Sequence, residues 1–437
     1  MTDVQTDSFE LPVEKPAARG RGEGEARATP HCPDLNVRHL RFVQIVAEAG
    51  SMTAAAQLLG RSQTAITKAV SAAERALAVE LFERATSGIL VTKPGAIVLG
   101  RARRINQLLT AAREEYQRLY PARRGAHVPL FSMLSSTRKL KHVVSLYETQ
   151  SIEQAAAVEG VSTSAIYRTV HELEAQLGVP IFARIADGRC IAVGYGVALA
   201  QTLKLLFAEL RYCLDDIAQL QGREQGQLWI GVSPSMAPLV VPAALVMLRE
   251  RHPGFDVFSR VAPIHDLLAD LKSGDIDVIA GGVQSCEDML QWAHTETLIN
   301  DRICIVARKD HPLARKGSVG KADFANVKWM YPPQGSPAKR VFEAFMNDLG
   351  LGEPDNFGEI TSIVMQRGLL LHSNCLTFMT EQQIRLEVDC GMLAALPYPI
   401  RNSVYETGLI HRERSDPSPP VSSFMAIMRE VAKKFGG

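Results

Sequence analysis

The sequence predicts a multidomain chain of α plus α/β class, with two small helical modules in tandem followed by a two-lobed α/β domain. Three observations predict it. Residues 38–88 recur at 138–188 without a gap, and in both copies the apolar residues are spaced for short helices broken by a glycine turn. From about residue 226, short apolar strands alternate with helices. With 437 residues, 46% hydrophobic and 22% charged, the chain has room for about two to four domains, each with its own core.

The repeat holds 18 identities in 51 positions, from Arg38/Arg138 through Glu74/Glu174 to Gly88/Gly188. A period of one hundred is too long for a stacked solenoid unit, so it marks a duplicated domain. In the first copy Leu40, Val43, Val46 and Ala47 give a first helix its apolar face, and Ser51 or Thr53 caps a second, alanine-rich helix. Gly60 ends that helix, and Ser62 caps a third from Gln63 to about Ala78 with Ile66, Val70, Ala73 and Leu77 inward. Two short helices around a tight glycine turn make a helix-turn-helix. The inward stripe leaves Gln63, Thr64, Thr67, Lys68 and Ser71 pointing away from the core, as hydrogen-bonding groups near a helix N-terminus. The bland reading of such a face is a solvated helix with a capping serine.

Charge supports the sharper one. Net charge is only +1, but residues 34–125 carry fourteen Lys and Arg against seven acids. A basic segment inside a neutral chain suits phosphate contact. Module 34–95 has seven basic residues against five acids, whereas 137–196 has six against six. The first copy is therefore expected to make the stronger contact with DNA, and the second to be either a weaker reader or a pairing module.

Residues 36–95 resemble the LysR-type DNA-binding domain nearly end to end. The resemblance rests on Arg38-His39-Leu40, Ser51, Ser62-Gln63, the Leu81–Arg84 turn, and a wing ending at Thr92 and Gly95. It implies a winged helix-turn-helix in which Thr53, Ser62, Gln63, Thr64, Thr67 and Lys68 face DNA, while Arg84, Ser87 and Gly88 touch phosphate. Ala73 and Ala78 stand where the family usually has leucine and glycine. In the second copy the corresponding residues are Ser162, Thr163, Ser164, Tyr167, Arg168 and Arg184; there Ile181–Arg184 replaces the usual turn, and the wing lacks its closing threonine.

Each module is followed by an apolar-striped helix. One runs from Ala96 to Tyr120, with Ile105, Leu109 and Ala112, and the other from Val197 to Leu220, with Leu203, Leu206, Leu210 and Ile217. A stripe that wide needs a partner. In LysR-like regulators this helix pairs antiparallel with that of a second subunit, so the resemblance implies a homodimer or homotetramer. The other reading is packing against the chain's own domains.

The remainder resembles the LysR effector domain, a two-lobed, periplasmic-binding-protein-like α/β fold expected to hold a largely parallel sheet. Asp310–Ala314 matches the usual crossing into the second lobe, and Gly335-Ser336-Pro337 matches the ligand loop. Ligands in such sheets sit at the carboxyl ends of strands, where loop amides and helix N-termini collect. Ser233, Ser235, Gly335, Ser336, Thr361 and Ser362 occupy such places and together suit a small anionic effector. Each alone is more often a simple helix cap.

The expected division is a disordered tail (1–33), winged module (34–95), linker helix (96–125), second module (126–196), second linker helix (197–225) and effector domain (226–437). Within the last, lobe I takes 226–308 and 405–437, and lobe II 309–404. The seven cysteines are widely scattered, which fits reduced, mostly buried thiols in a cytoplasmic protein with neither zinc nor another cofactor. No apolar run approaches the roughly 20 residues of a membrane span. No histidine lies at ligand spacing from another or from a cysteine, so an enzyme is disfavoured. Expected partners are double-stranded DNA, the effector, further copies of the chain and RNA polymerase. The rival reading is an interaction sensor whose modules no longer bind DNA.

Overall fold

The computed structural model describes residues 35–85, 88–123, 128–283, 292–350, 356–413 and 416–435. The tail expected over 1–33 lies outside them. In the first module α1 (Val37–Ala49) and α2 (Met52–Leu59) precede α3 (Gln63–Leu77). The Ser51 and Ser62 hydroxyls accept bonds from the Ala54 and Ala65 amides (3.1 and 3.2 Å), so both serines are N-caps. Ile66, Ala69, Val70, Ala73 and Leu77 are the buried face of α3. A hairpin of β1 (Phe82–Ala85) and β2 (Gly88–Val91) forms the wing, and the long helix α4 (Lys93–Leu119) follows.

The second module repeats this as α5 (Thr137–Thr149), α6 (Ile152–Glu159), α7 (Thr163–Leu177), β3 (Phe182–Arg184), β4 (Cys190–Ala192) and α8 (Gly196–Leu220). The repeated glutamates have one job in both copies. Glu74 accepts from the Leu81 amide (3.0 Å) and Glu174 from the Ile181 amide (2.9 Å), satisfying the backbone where the wing begins. Gly95 and Gly196 match too: a Cβ on either would sit about 2 Å from the carbonyl oxygen of Leu81 (2.2 Å) or Ile181 (2.1 Å). Ala78 ends α3 in the left-handed conformation (φ 53°), which Gly178 adopts at the end of α7 (φ 70°).

The linker helices find their partner inside the chain. α4 and α8 pack antiparallel: Tyr195 at the start of α8 donates to the Ala112 carbonyl late in α4 (2.7 Å), while Arg101 early in α4 reaches Glu209 (3.0 Å) and Asp216 (2.8 Å) late in α8. The apolar stripe that implied a second subunit is thus covered by the sister linker. α8 is buried on nearly every side, because its far face docks on the C-terminal domain.

That domain has β5 (Gly226–Val232), α9 (Val240–Arg251), β6 (Phe255–Val261), α10 (Ile264–Ser273), β7 (Val278–Gly282) and the long β8 (Ala293–Arg308). The second lobe adds β9 (Trp329–Tyr331), α11 (Pro337–Leu349), β10 (Asn356–Glu359), α12 (Ile363–His372), β11 (Thr377–Thr380), α13 (Glu381–Asp389) and β12 (Leu393–Ala395). β13 (Val404–Arg412) returns to the first lobe, and α14 (Pro419–Phe435) closes it. The main sheet runs β11-β8-β13-β7-β5-β6, with β12 on β8. It is mixed rather than largely parallel: β5 is parallel to β6 and β7, but β13 returns antiparallel to both β7 and β8. Ile299 packs in the first-lobe core and Ile303 and Ile305 in the second-lobe core, so the chain passes between lobes inside β8. This is several residues before Asp310–Ala314, where the crossing was expected. No single helix among the described residues is long and apolar enough to cross a membrane.

Buried ion pairs join α8 to lobe I. Asp277 is fully buried and accepts from both terminal nitrogens of Arg211 (2.7 and 3.1 Å), the Tyr212 hydroxyl (2.5 Å) and the Trp229 amide (3.0 Å). Lys204 sits between Glu148 (3.0 Å) and Asp275. Burial pushes the nearby Asp215 carboxyl up to about 7 despite the Arg211 charge.

Stability is testable at two of these points, the end of α3 and the buried face of α8. Relieving the strained left-handed alanine by Ala78→Gly raises unfolding free energy by about 1 kcal/mol, read as a higher denaturant midpoint. An acid whose folded pKa is raised binds its proton more tightly folded than unfolded, so stability falls as pH climbs from about 4 through 7. Asp215→Asn flattens that slope and raises Tm at pH 8 relative to the parent. A steeper slope in the variant overturns the assignment.

Candidate nucleic-acid interface and effector cleft

The caps and the inward stripe fix which way α3 presents its first two turns. Ser62, Gln63, Thr64, Thr67 and Lys68 are all exposed, around the fully buried Ile66. Thr53 is exposed on α2, and Arg84 on the first wing strand. Ser87 lies outside the described residues. Gly88 has a structural role: at φ 126° it lets the wing close on α1, where the Ile89 amide donates to the Gly50 carbonyl (3.1 Å). A Cβ on Gly88 would meet that carbonyl oxygen at 2.8 Å.

α7 presents the same profile, with Ser162, Thr163, Ser164, Tyr167 and Arg168 exposed around buried Ile166, and Arg184 exposed on its wing. Its chemistry differs. The Ser162 and Ser164 hydroxyls bond each other (2.9 Å), and the Tyr167 ring is 51% exposed, an apolar surface with no counterpart at Thr67. Two of this module's cations are already spent, Lys139 on Glu172 and Arg189 on Asp187 (2.7 Å). Among the described residues no carboxylate pairs with Lys68 or Arg84. The position matching Thr53 is Glu153, whose charge is held by hydrogen bonds from the backbone and from Ser151 (3.0 Å). Sequence reasoning passed over this residue, although the alignment of the two copies displays it. A carboxylate at the edge of a phosphate-facing surface weakens attraction to a duplex.

In the C-terminal domain Ser233 and Ser235 follow β5, both buried, with hydroxyls 2.8 Å apart. Ser235 also bonds Tyr405, whose phenol packs against Gly282 so closely that any Cβ there would collide with it. Burial pushes the Tyr405 hydroxyl up to about 12, so it stays a neutral donor at ordinary pH. Tyr405, in β13, was not among the effector residues expected from the sequence. In the second lobe Gly335 (φ 75°) and Ser336 follow β9, and Thr361 and Ser362 follow its parallel neighbour β10, so both pairs lie at one end of this small sheet. The Gln334 amide bonds Glu359 (3.0 Å) and ties the two loops. Ser336 and Ser362 accept from the Lys339 and Met365 amides (3.2 and 3.4 Å), so both hydroxyl oxygens act as helix caps. Thr361 is exposed. The Arg340 charge, in the first turn of α11, is felt at Tyr405.

Among the described residues no group of three His, Cys, Asp or Glu is placed to hold a metal ion. Cys190, Cys213, Cys304 and Cys375 are buried free thiols and Cys390 is exposed.

Two family models match the chain. The bacterial regulatory helix-turn-helix protein model of the lysR family matches twice, at residues 37–96 and 137–192. The LysR substrate binding domain model matches residues 221–433. The HTH-type transcriptional regulator GalR of Pseudomonas putida is 29% identical over 396 residues, which is 91% of this chain and 97% of that protein. PcaQ of Agrobacterium fabrum, also an HTH-type transcriptional regulator, is 26% identical over 296 residues, 68% of this chain and 94% of the relative. A full-length OxyR structure from Pseudomonas aeruginosa shares the fold with TM-score 0.52 at 17% identity, covering 68% of this chain and 95% of that one. Two helix-turn-helix modules of one family, joined to that family's sensing domain, place this chain among the LysR-type transcriptional regulators.

Proposed function

We propose that this regulator grips double-stranded DNA chiefly through the first module. Gln63, Thr64, Thr67 and Lys68 contact base edges and neighbouring phosphates; Ser62 and Thr53 flank them, and Arg84 and the wing at Ser87–Gly88 hold the backbone. The observation that carries this is the row of exposed polar residues around Ile66 at the N-terminal end of α3, with Lys68 and Arg84 unpaired by any described carboxylate. The second module makes the weaker contact through Ser162, Thr163, Ser164, Tyr167, Arg168 and Arg184, since its cations are partly spent and Glu153 opposes phosphate.

A small anionic metabolite closes the two lobes about β8 and β13, meeting Ser233, Ser235 and Tyr405 on one side and the Gly335–Ser336 and Thr361–Ser362 loops on the other. Amide-rich helix N-termini favour an anion. Because α8 is pinned to lobe I by Arg211 and Asp277, lobe closure is passed to the linker pair and so to the modules. Association into a homodimer or homotetramer, and contact with RNA polymerase, complete the reading.

A gel-shift titration against a short mixed-sequence duplex tests the DNA contact. Affinity falls steeply with salt, and Lys68→Ala lowers the slope of log affinity against log salt by about 1. Lys139→Ala leaves that slope nearly unchanged, because Glu172 already occupies its charge. Salt-independent retention, or none at all, sinks the DNA contact and favours a module that binds protein. For the cleft, thermal-shift screening of carboxylate and phosphate metabolites yields a stabilising compound whose effect is lost in Ser235→Ala. A hit that survives both that change and Tyr405→Phe binds elsewhere.

A further inference from the structure

The two modules do not merely follow one another. Thr137 takes a bond from the Val37 amide (2.8 Å) and gives one to the Leu35 carbonyl (2.9 Å), so residues one hundred apart, equivalent in the repeat, touch each other. Equivalent points meet only close to the axis that relates the copies. The contacts at the helix ends are reciprocal. The end of α4 touches the end of the other module's recognition helix, through Tyr116 on the Leu177 carbonyl and Arg123 on the Gly178 carbonyl (3.2 Å). The end of α8 does the same to the first module, through Gln221 on the Ala78 carbonyl (3.3 Å). Ala78 and Gly178 are counterparts. A translational repeat would join two different surfaces; the same surface used twice, with antiparallel linkers, is the signature of a two-fold relation.

We infer that a single chain is a covalent pseudo-dimer whose two recognition helices, α3 and α7, engage two half-sites in inverted orientation on one duplex. This rests on the DNA-binding reading above and adds its stoichiometry and operator geometry. The half-sites are unequal, because Gln63, Thr64, Thr67 and Lys68 offer amide, hydroxyl and ammonium groups where Thr163, Ser164, Tyr167 and Arg168 offer hydroxyls, an aromatic face and a guanidinium. The symmetry of two heads is mirrored in the DNA they read, with half-site centres about one helical turn apart or a multiple of it.

The test uses the full chain and a randomised duplex pool. Selected sequences carry an inverted pair of related but unequal half-sites. Two variants, each altered only at exposed positions, then separate the heads: Gln63→Ala with Thr67→Ala and Lys68→Ala, and Thr163→Ala with Tyr167→Ala and Arg168→Ala. Each loses roughly tenfold or more in affinity for the selected duplex and relaxes selection at one half-site only. An equal mixture of the two variants binds no better than either alone, because both live heads must belong to one chain. Rescue by the mixture overturns the inference in favour of pairing between chains. So does enrichment of a single half-site or a direct repeat, or indifference to the second triple change. Failure of the pool to enrich anything, with no salt-sensitive retention, defeats instead the underlying claim of DNA binding.

Discussion

The arrangement depends on the antiparallel seating of α4 on α8, and at its centre stands Arg101. Its guanidinium is almost wholly buried, yet it stays charged because Glu209 and Asp216 lie 3.0 and 2.8 Å away and the Asp416 carbonyl accepts a further bond at 2.9 Å. Burial opposes the charge, and the carboxylates outweigh it. Such a site tolerates no partial occupancy: removal of one partner of a buried ion pair typically costs about 3–5 kcal/mol, because the other is left uncompensated. An apolar seam alone would let the two helices slide or rotate past one another. Arg101 fixes their register, and with it the relation between the modules and the domain beyond.

α8 then has little free surface. One face receives α4 and the second module, and the other meets lobe I through Arg211, Tyr212, Asp277 and Arg412. Arg412, near the end of β13, also donates to the Leu271 and Ile276 carbonyls (both 2.8 Å), so the strand that returns from the second lobe ends at the linker helix. A displacement of the second lobe is therefore delivered where the modules are joined, through packed and hydrogen-bonded groups rather than a slack tether.

Much of this was legible in the residues. The third helix was expected from Gln63 to about Ala78 and runs to Leu77, and the linker helices begin and end within a few residues of the expected limits. These are strongly periodic segments with clear caps. β8 was not foreseen, because Glu296, Asp301 and Arg302 interrupt its apolar pattern; each sits where the strand passes through solvent or between lobes, so its burial pattern is not that of one environment. The partner of the linker stripe was not foreseen either. An apolar face announces that something covers it but carries no label for what, and here the covering helix lies one hundred residues further along the same chain. In the cleft, serines after strands were visible, whereas Tyr405 needed the returning strand β13 to be placed beside β7 before its hydroxyl met Ser235. The repeat exposed the modules; only the fold exposed their symmetry.

Glu153 standing where the sister copy has Thr53 has a consequence of its own. Two copies of one subunit must carry the same head, and a symmetric pair of them is blind to left and right. Fusing the heads in one polypeptide frees each to drift, so that a preference acquired by one is not imposed on the other. A chain built this way carries two unlike heads in a fixed order, so the pair has a direction that two identical subunits lack.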